Sequence, residues 1–212
     1  MLSIHDLVCA RGDRQLFSGA NFELAAGEGL YVSGPNGAGK TSLLRLICGL
    51  AVPEHGEVRW GGESIKHLRE DYTRNLLFLG HAAALKDELS AVENLRIGAS
   101  LAGREVSDGE AMKALRLFGL KGREHLPARV LSAGQRRRVN LARMLLPDPP
   151  RLWVLDEPFT ALDAKAVTQL SEVISAHLQS GGMAIFTTHQ EVNFSGSTIR
   201  RVVVENGGVS AC

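Results

Sequence analysis

The 212-residue sequence predicts an α/β fold with a mostly parallel core sheet, and three observations carry that expectation. Gly34-Pro35-Asn36-Gly37-Ala38-Gly39-Lys40-Thr41 follows the apolar run Leu30-Tyr31-Val32 and precedes a helical pattern, so a glycine loop joins a strand to a helix. Arg151 to Leu155 is almost continuously apolar, which is the mark of a parallel strand buried on both faces. Asp163 to Gln179 then has helical spacing, and Met183 to Thr187 is again a strand.

In chain order, Ser3 to Val8 and Ala20 to Leu24 alternate apolar and polar residues between Gly12, Asp13, Gly19 and Gly27. These predict antiparallel strands of a small N-terminal β lobe. Leu30 to Ser33 feeds the glycine loop, and Leu43, Leu44, Leu46 and Ile47 give the next helix an apolar face before Gly49 stops it. Pro53 and Gly56 mark a turn, and Glu57 to Trp60 and Asn75 to Leu79 predict strands. From Ala82 to Arg129 the chain becomes rich in Ala, Leu, Glu and Lys with breaks at Gly103, Gly109 and Gly122, predicting an inserted helical lobe. Val167, Leu170, Val173, Ile174 and Leu178 line the helix after Asp163, and Thr198 to Glu205 is expected to end the fold.

Length suits one domain with room for a buried core. Lys and Arg (24) nearly balance Asp and Glu (23), so no global field favours nucleic acid. Three cysteines, Cys9, Cys48 and Cys212, are odd in number and widely spaced, which points to idle thiols of a reducing compartment. No run reaches the roughly 18 apolar residues of a membrane span and the N-terminus does not look like a secretory signal, so a cytoplasmic location is expected.

The loop 34–41 is a phosphate-binding sequence: its glycines let successive N–H groups turn toward anionic oxygens, Lys40 supplies a mobile charge, and Thr41 offers a hydroxyl to Mg²⁺. Leu152-Trp153-Val154-Leu155 delivers Asp156 and Glu157 at the strand tip where open α/β sheets bind ligands. Asp156 suits Mg²⁺ held through its water shell, and Glu157 suits a base for the attacking water. Leu131-Ser132-Ala133-Gly134-Gln135 has S-x-x-Q capping spacing ahead of a helix expected to bury Val139, Ala142, Leu145 and Leu146. Its exposed N-terminus would make a second anion site. One chain cannot easily aim both anion sites at one phosphate, so a head-to-tail pair sharing the nucleotide is expected. Arg136-Arg137-Arg138 is expected to be a solvated charged face, the alternative being that part of it touches the partner subunit or a membrane domain.

These motifs resemble the nucleotide-binding subunit of ATP-binding cassette transporters across essentially the whole chain. The resemblance implies an ATPase using ATP and Mg²⁺, with an antiparallel β subdomain and an inserted helical subdomain on a P-loop core. Residues 1–81 and 151–212 would form the core with its β lobe, and 82–150 the helical subdomain. It implies nucleotide binding by Gly34 to Thr41 with Ser42, a trans contact from Leu131 to Gln135, and Walker B with its catalytic glutamate at Leu152 to Glu157. Asp163 matches the D-loop that crosses to a partner, and His189 in Thr187-Thr188-His189 matches the switch histidine. Glu157, His189 and Lys40 are thus the candidate catalytic residues.

Two positions depart from the family's pattern. Arg11 stands where an adenine-stacking aromatic is usual, and a guanidinium plane also stacks on a base. Gly80-His81 stands where glutamine is usual, and the imidazole of His81 can still reach a metal-bound water.

Leu79-Gly80-His81, Val92-Glu93-Asn94-Leu95, Leu131-Ser132-Ala133-Gly134-Gln135 and Thr187-Thr188-His189-Gln190, together with the short chain, further resemble the ATPase subunits of bacterial cytochrome c maturation, the haem exporter ATP-binding family. That implies a CcmB-like integral-membrane partner with CcmC-like and CcmD-like proteins, at the cytoplasmic face of the inner membrane, and haem export or release of a haem-loaded chaperone. Another small cassette exporter is the alternative. A soluble nucleic-acid cassette ATPase lacks the expected coiled-coil insertion or tandem cassette here, and a small-molecule kinase shares only the first motif.

Overall fold

The computed structural model describes residues 1–12, 14–205 and 207–211. Asp13 and Cys212, named above as turn marker and thiol, lie outside them. The strands are β1 (Leu2–Arg11), β2 (Arg14–Leu24), β3 (Glu28–Ser33), β4 (His55–Trp60), β5 (Glu63–Ser64), β6 (Leu76–Leu79), β7 (Leu152–Leu155), β8 (Met183–Phe186), β9 (Thr198–Glu205) and β10 (Gly208–Ala211). The helices are α1 (Lys40–Ile47), α2 (Ile65–Arg74), α3 (Ala91–Leu101), α4 (Asp108–Leu117), α5 (Ala133–Ala142) and α6 (Ala164–Gln179).

One ten-stranded sheet runs β5-β4-β1-β2-β10-β9-β3-β8-β7-β6. β9, β3, β8, β7 and β6 are parallel to one another, while β1 pairs antiparallel with β2 and β4. The mixed sheet is therefore the parallel core plus antiparallel lobe that the pattern predicted. β10 is a correction: the fold does not end at Glu205, because β10 pairs antiparallel with β9 and meets β2 at Gly208↔Ser18, joining lobe to core. Gly207 and Gly208 made that short strand look like a tail. α2 was also unread, because Lys66, His67, Arg69, Glu70 and Asp71 leave only Ile65, Leu68 and Tyr72 as an apolar stripe.

Two apolar clusters cover the two sheet faces. Side chains alternate along a strand, so Leu152 and Val154 of β7 join α1 and the β lobe, while Trp153 and Leu155 join α3–α6. The same split sends Met183 and Ile185 one way and Ala184 and Phe186 the other. This is why β7 and β8 read as unbroken apolar runs. The helical segment's Leu95, Leu115, Phe118 and Val139 share one cluster with Leu77, Leu79 and Trp153. Ser90–Glu93, Ser107–Glu110 and Ser132–Gln135 are all complete capping boxes at the starts of α3, α4 and α5.

The helix after Ser132 departs from expectation in two ways. It ends at Ala142 and continues as a 3-10 turn (Arg143–Leu145), in which Met144 is buried and Leu145 only half-buried. Arg137 does not face solvent: it is 6% exposed, on the stripe that continues through Asn140, Leu141 and Met144. Cys9 and Cys48 are buried free thiols, both pushed above the usual thiol range chiefly by burial.

Candidate nucleotide-binding site

The loop 34–39 leaves β3 and turns directly into α1, and packing dictates its glycines. Gly34 has φ 139, and a Cβ there would lie 2.1 Å from the Val204 carbonyl oxygen of β9. Gly39, the N-cap of α1, has φ 109, and a Cβ there would lie 3.1 Å from the Phe17 ring. The loop is thus wedged between β9 and β2, with its next residues forced outward. Asn36, Gly37, Gly39, Lys40, Thr41 and Ser42 line a cavity of about 420 Å³. Gly34, Pro35 and Ala38 do not line it; Ala38 packs on the core instead.

The cavity's other wall comes from distant segments: Arg11 of β1, His81 after β6, Asp156 and Glu157 after β7, Thr160, and His189 after β8. The carboxylates sit here because parallel strands β6, β7 and β8 end in register at one edge of the sheet, the ligand edge of such folds. Asp156 is 4% exposed. One of its oxygens accepts from Thr41 Oγ1 at 2.9 Å and the other from Thr187 Oγ1 at 2.8 Å. Thr187 Oγ1 in turn accepts from the Glu157 amide at 2.9 Å.

Glu157 has φ 52, a left-handed conformation that costs a side-chain-bearing residue roughly 1–2 kcal/mol. Three hydrogen bonds hold it there: its amide to Thr187, and its carbonyl oxygen accepting from Arg137 Nη2 at 2.7 Å and from the Thr160 amide at 3.2 Å. The turn aims the carboxylate into the cavity, where Glu157 Oε1 lies 3.3 Å from His189 Nε2. Lys40 Nζ is folded over its own loop, donating to the Gly34 carbonyl at 2.7 Å and that of Pro35 at 3.2 Å.

The remaining candidates lie outside the cavity. Ser132 and Gln135 are spent on capping α5, with Ser132 Oγ accepting from the Gln135 amide at 3.3 Å. Ala133 lines a separate hollow of about 320 Å³ with Ala83, Arg136, Arg137, Thr160 and Ala161; His81 borders both hollows. None of Leu131 to Gln135 touches the loop cavity of its own chain. Asp163 caps α6, accepting from the Ala166 amide at 2.8 Å, and pairs with Arg138 Nη2 at 2.5 Å. Those partners, the amide foremost, hold its carboxyl below the usual range.

Sequence reasoning missed Thr187, Thr160 and Arg137. Burial lowers the Arg137 guanidinium's pKa, opposed by the nearby charges of Asp156 and Glu157. Its signal was present: Arg137, Leu141 and Met144 are spaced i, i+4, i+7, the core-facing period of a helix. Thr187 gave no signal, since an apolar strand ending in threonine is common.

The donor set fits Mg²⁺. That ion keeps several waters and takes one or two protein oxygens beside substrate phosphates, and a hydroxyl and a carboxylate oxygen stand together at Thr41 and Asp156. Among the described residues no cluster of three or more His, Cys, Asp or Glu forms a full protein cage for a metal. No helix among them is long and apolar enough to cross a membrane.

A glycine loop opening a helix, a paired-carboxylate strand tip and a histidine after the neighbouring strand, brought together at one edge of a mixed sheet, define an ATP-binding cassette ATPase. The chain belongs to the ABC transporter family, whose model matches residues 17–160, and within it to the CcmA proteins. The "Cytochrome c biogenesis ATP-binding export protein CcmA" of Nitrosospira multiformis is 53% identical over 197 residues, covering 93% of this chain and 95% of the relative. A solved ATP-binding subunit of an ABC transporter superposes with TM-score 0.88 at 27% identity, over 100% of this chain and 89% of that one. The dimeric cassette MJ0796, solved in a post-hydrolysis state with ADP and Pi, shares the fold at TM-score 0.85 and 22% identity, over 99% and 97% of the two chains.

Proposed function

We propose that the chain is the ATP-hydrolysing subunit of a membrane complex for c-type cytochrome biogenesis, acting in haem export or in release of a haem-loaded chaperone. The observation that carries the catalytic reading is the convergence of Thr41, Asp156, Glu157 and His189 on the cavity of the glycine loop. The name and 53% identity of the CcmA relative support the biological setting.

The roles follow from the atoms. Amides of residues 36–42 and the start of α1 hold the phosphates. Lys40 leaves its two loop carbonyls for the β/γ-phosphates, while Arg11 stacks on adenine and Ser42 adds a hydroxyl. Thr41 and Asp156, with His81 lining the same cavity, would hold Mg²⁺, which when bound would neutralise charge on the phosphate oxygens. Glu157 accepts a proton from the attacking water on Oε2, since Oε1 faces His189, as the water oxygen bonds to the γ-phosphorus and the bond to ADP breaks. His189, whose Nε2 lies 3.3 Å from Glu157 Oε1, orients that carboxylate.

The two halves of the grip, Lys40 and Ser132, belong to different copies in a head-to-tail pair, because Ser132 lies off the cavity of its own chain. Asp163 lies at that same junction. Residues 82–150 serve as the helical subdomain that carries Ser132 against the core formed by 1–81 and 151–212. Closure reaches a CcmB-like membrane subunit, with CcmC-like and CcmD-like proteins, through the segment from His81 to about Leu95. The protein sits peripherally at the cytoplasmic face of the inner membrane.

The test uses the complex purified with its membrane partner. Glu157→Gln is expected to keep ATP binding while turnover falls about 10²–10⁴-fold, the usual worth of a general base. Ser132→Glu is expected to abolish turnover by placing a carboxylate against the partner's nucleotide. Hydrolysis at the parental rate in Glu157→Gln overturns the base assignment; in Ser132→Glu it overturns the shared site.

A further inference from the structure

Arg137 is the only one of the three consecutive arginines that is buried, and among the described residues no carboxylate lies within hydrogen-bonding distance of its guanidinium. Backbone carbonyls surround it instead. Nη1 donates to Gly80 O at 2.9 Å and His81 O at 3.3 Å, and Nη2 donates to Asp156 O at 3.2 Å and Glu157 O at 2.7 Å. Nε is buried with no partner among the described residues. A buried cation with an orphaned donor is a poor device for stability, since an apolar side chain of similar volume often serves as well or better. The fork does something an apolar chain cannot: it joins three segments that local structure leaves separate. These are α5, the loop after β6, and the turn after β7.

The joined segments each carry one part of the proposed mechanism. α5 is capped by Ser132, five residues and about 7.5 Å of helix from Arg137. The loop after β6 carries His81, which borders both the nucleotide cavity and the hollow beside α5. The turn after β7 carries Glu157 in its strained conformation at φ 52, and Arg137 supplies the shortest of the hydrogen bonds that hold it.

We propose that Arg137 is a positioning residue for ATP hydrolysis, its guanidinium locking the Glu157 turn and the His81 loop to the helix that Ser132 caps. This rests on the roles proposed above for Glu157 and Ser132. A planar guanidinium reaches two pairs of carbonyls on opposite sides at once. When α5 moves with a nucleotide held by Ser132 of the same chain, the fork carries that movement to the base of its own cavity. Each nucleotide contact in one subunit thereby sets the geometry of hydrolysis in the other pocket of the pair. Lysine retains the charge but is a single point, which holds one side only.

The experiment compares Arg137→Lys and Arg137→Met in the complex with its membrane partner, measuring kcat, KM, ATP affinity and the unfolding midpoint. The expected result is a fall in kcat of about tenfold or more in both variants, the effect of losing transition-state alignment rather than uniform binding. KM and the Kd for ATP stay within about threefold. On a Glu157→Gln background, adding Arg137→Met should lower kcat less than about twofold further, because both changes disable the same group. Should the methionine variant fail to fold, the lysine variant decides.

The inference is overturned by parental kcat in the folded variants, by a rise in KM at constant kcat, or by full additivity with Glu157→Gln. Unfolding of both variants would make Arg137 a structural residue and overturn it as well. Parental turnover in Glu157→Gln alone removes the assignment of the base, whereas an inactive Glu157→Gln beside fully active Arg137 variants removes this inference and leaves the base in place.

Discussion

Thr187→Val replaces a hydroxyl by a methyl of nearly equal size at a position with 0% exposure. The hydroxyl donates to Asp156 Oδ1 at 2.8 Å and accepts from the Glu157 amide at 2.9 Å. Valine fills the same space and leaves both partners unpaired where water cannot replace the lost bonds. A hydrogen bond to a charged group contributes about 1.5–3 kcal/mol and a neutral one about 1 kcal/mol, so the expected loss is about 2.5–4 kcal/mol. For a chain of this length each kcal/mol lowers Tm by about 2–4 °C, which places the variant about 5–16 °C below the parent. Urea unfolding of the purified chain at neutral pH measures the free energy directly. Thr187→Ser keeps the hydroxyl and loses one methyl, and should cost about 1 kcal/mol. A valine variant within about 0.5 kcal/mol of the parent would refute the claim that this hydroxyl secures the carboxylate edge.

His177 is buried against Trp153, with ring centroids 3.6 Å apart, and burial holds its pKa below the usual value. The unfolded chain takes up that proton first, so the contribution is complete above about pH 6.5 and is lost as pH falls from there toward the folded pKa. His177→Phe keeps a stacked ring without the titration; urea midpoints measured from about pH 7.5 down to about pH 5.5 should fall less steeply than in the parent, and parallel slopes would contradict this. Gly34→Ala drives a Cβ to 2.1 Å from Val204 O, and should weaken ATP binding by about tenfold or more, roughly 1.4 kcal/mol. Gly37→Ala meets nothing within 4 Å and should cost only the left-handed strain of about 1–2 kcal/mol in stability; calorimetric titration of both variants with ATP should rank Gly34→Ala as the weaker binder.

Much of the fold was legible because its strongest signals are local. The glycine loop, the doubly buried β7 and β8, the stripe of α6 and the capping box at Ser132 each arise within a few residues of chain. What escaped had weak local patterning. α2 hides its three apolar residues among charges, and β10 gains its pairing only from β9 and β2, distant or turned-back partners that a glycine pair disguises.

The candidate site divides along the same line. Residue types and spacing were enough to nominate Lys40, Thr41, Asp156, Glu157, Ser132 and His189, because phosphate and metal chemistry demands those groups in those motifs. The chain alone left open that Thr41 meets Asp156, that Thr187 ties Asp156 to the Glu157 turn, and that Arg137 spans the segments around His81 and Glu157. Three adjacent arginines are alike as letters; helix α5 turns one of them inward, where folding brings four carbonyls from separate segments around it. Covalent order determines which chemical groups are available, while tertiary packing decides which of them share a dry, low-dielectric space, and only there does a hydrogen bond become strong enough to hold a catalytic turn.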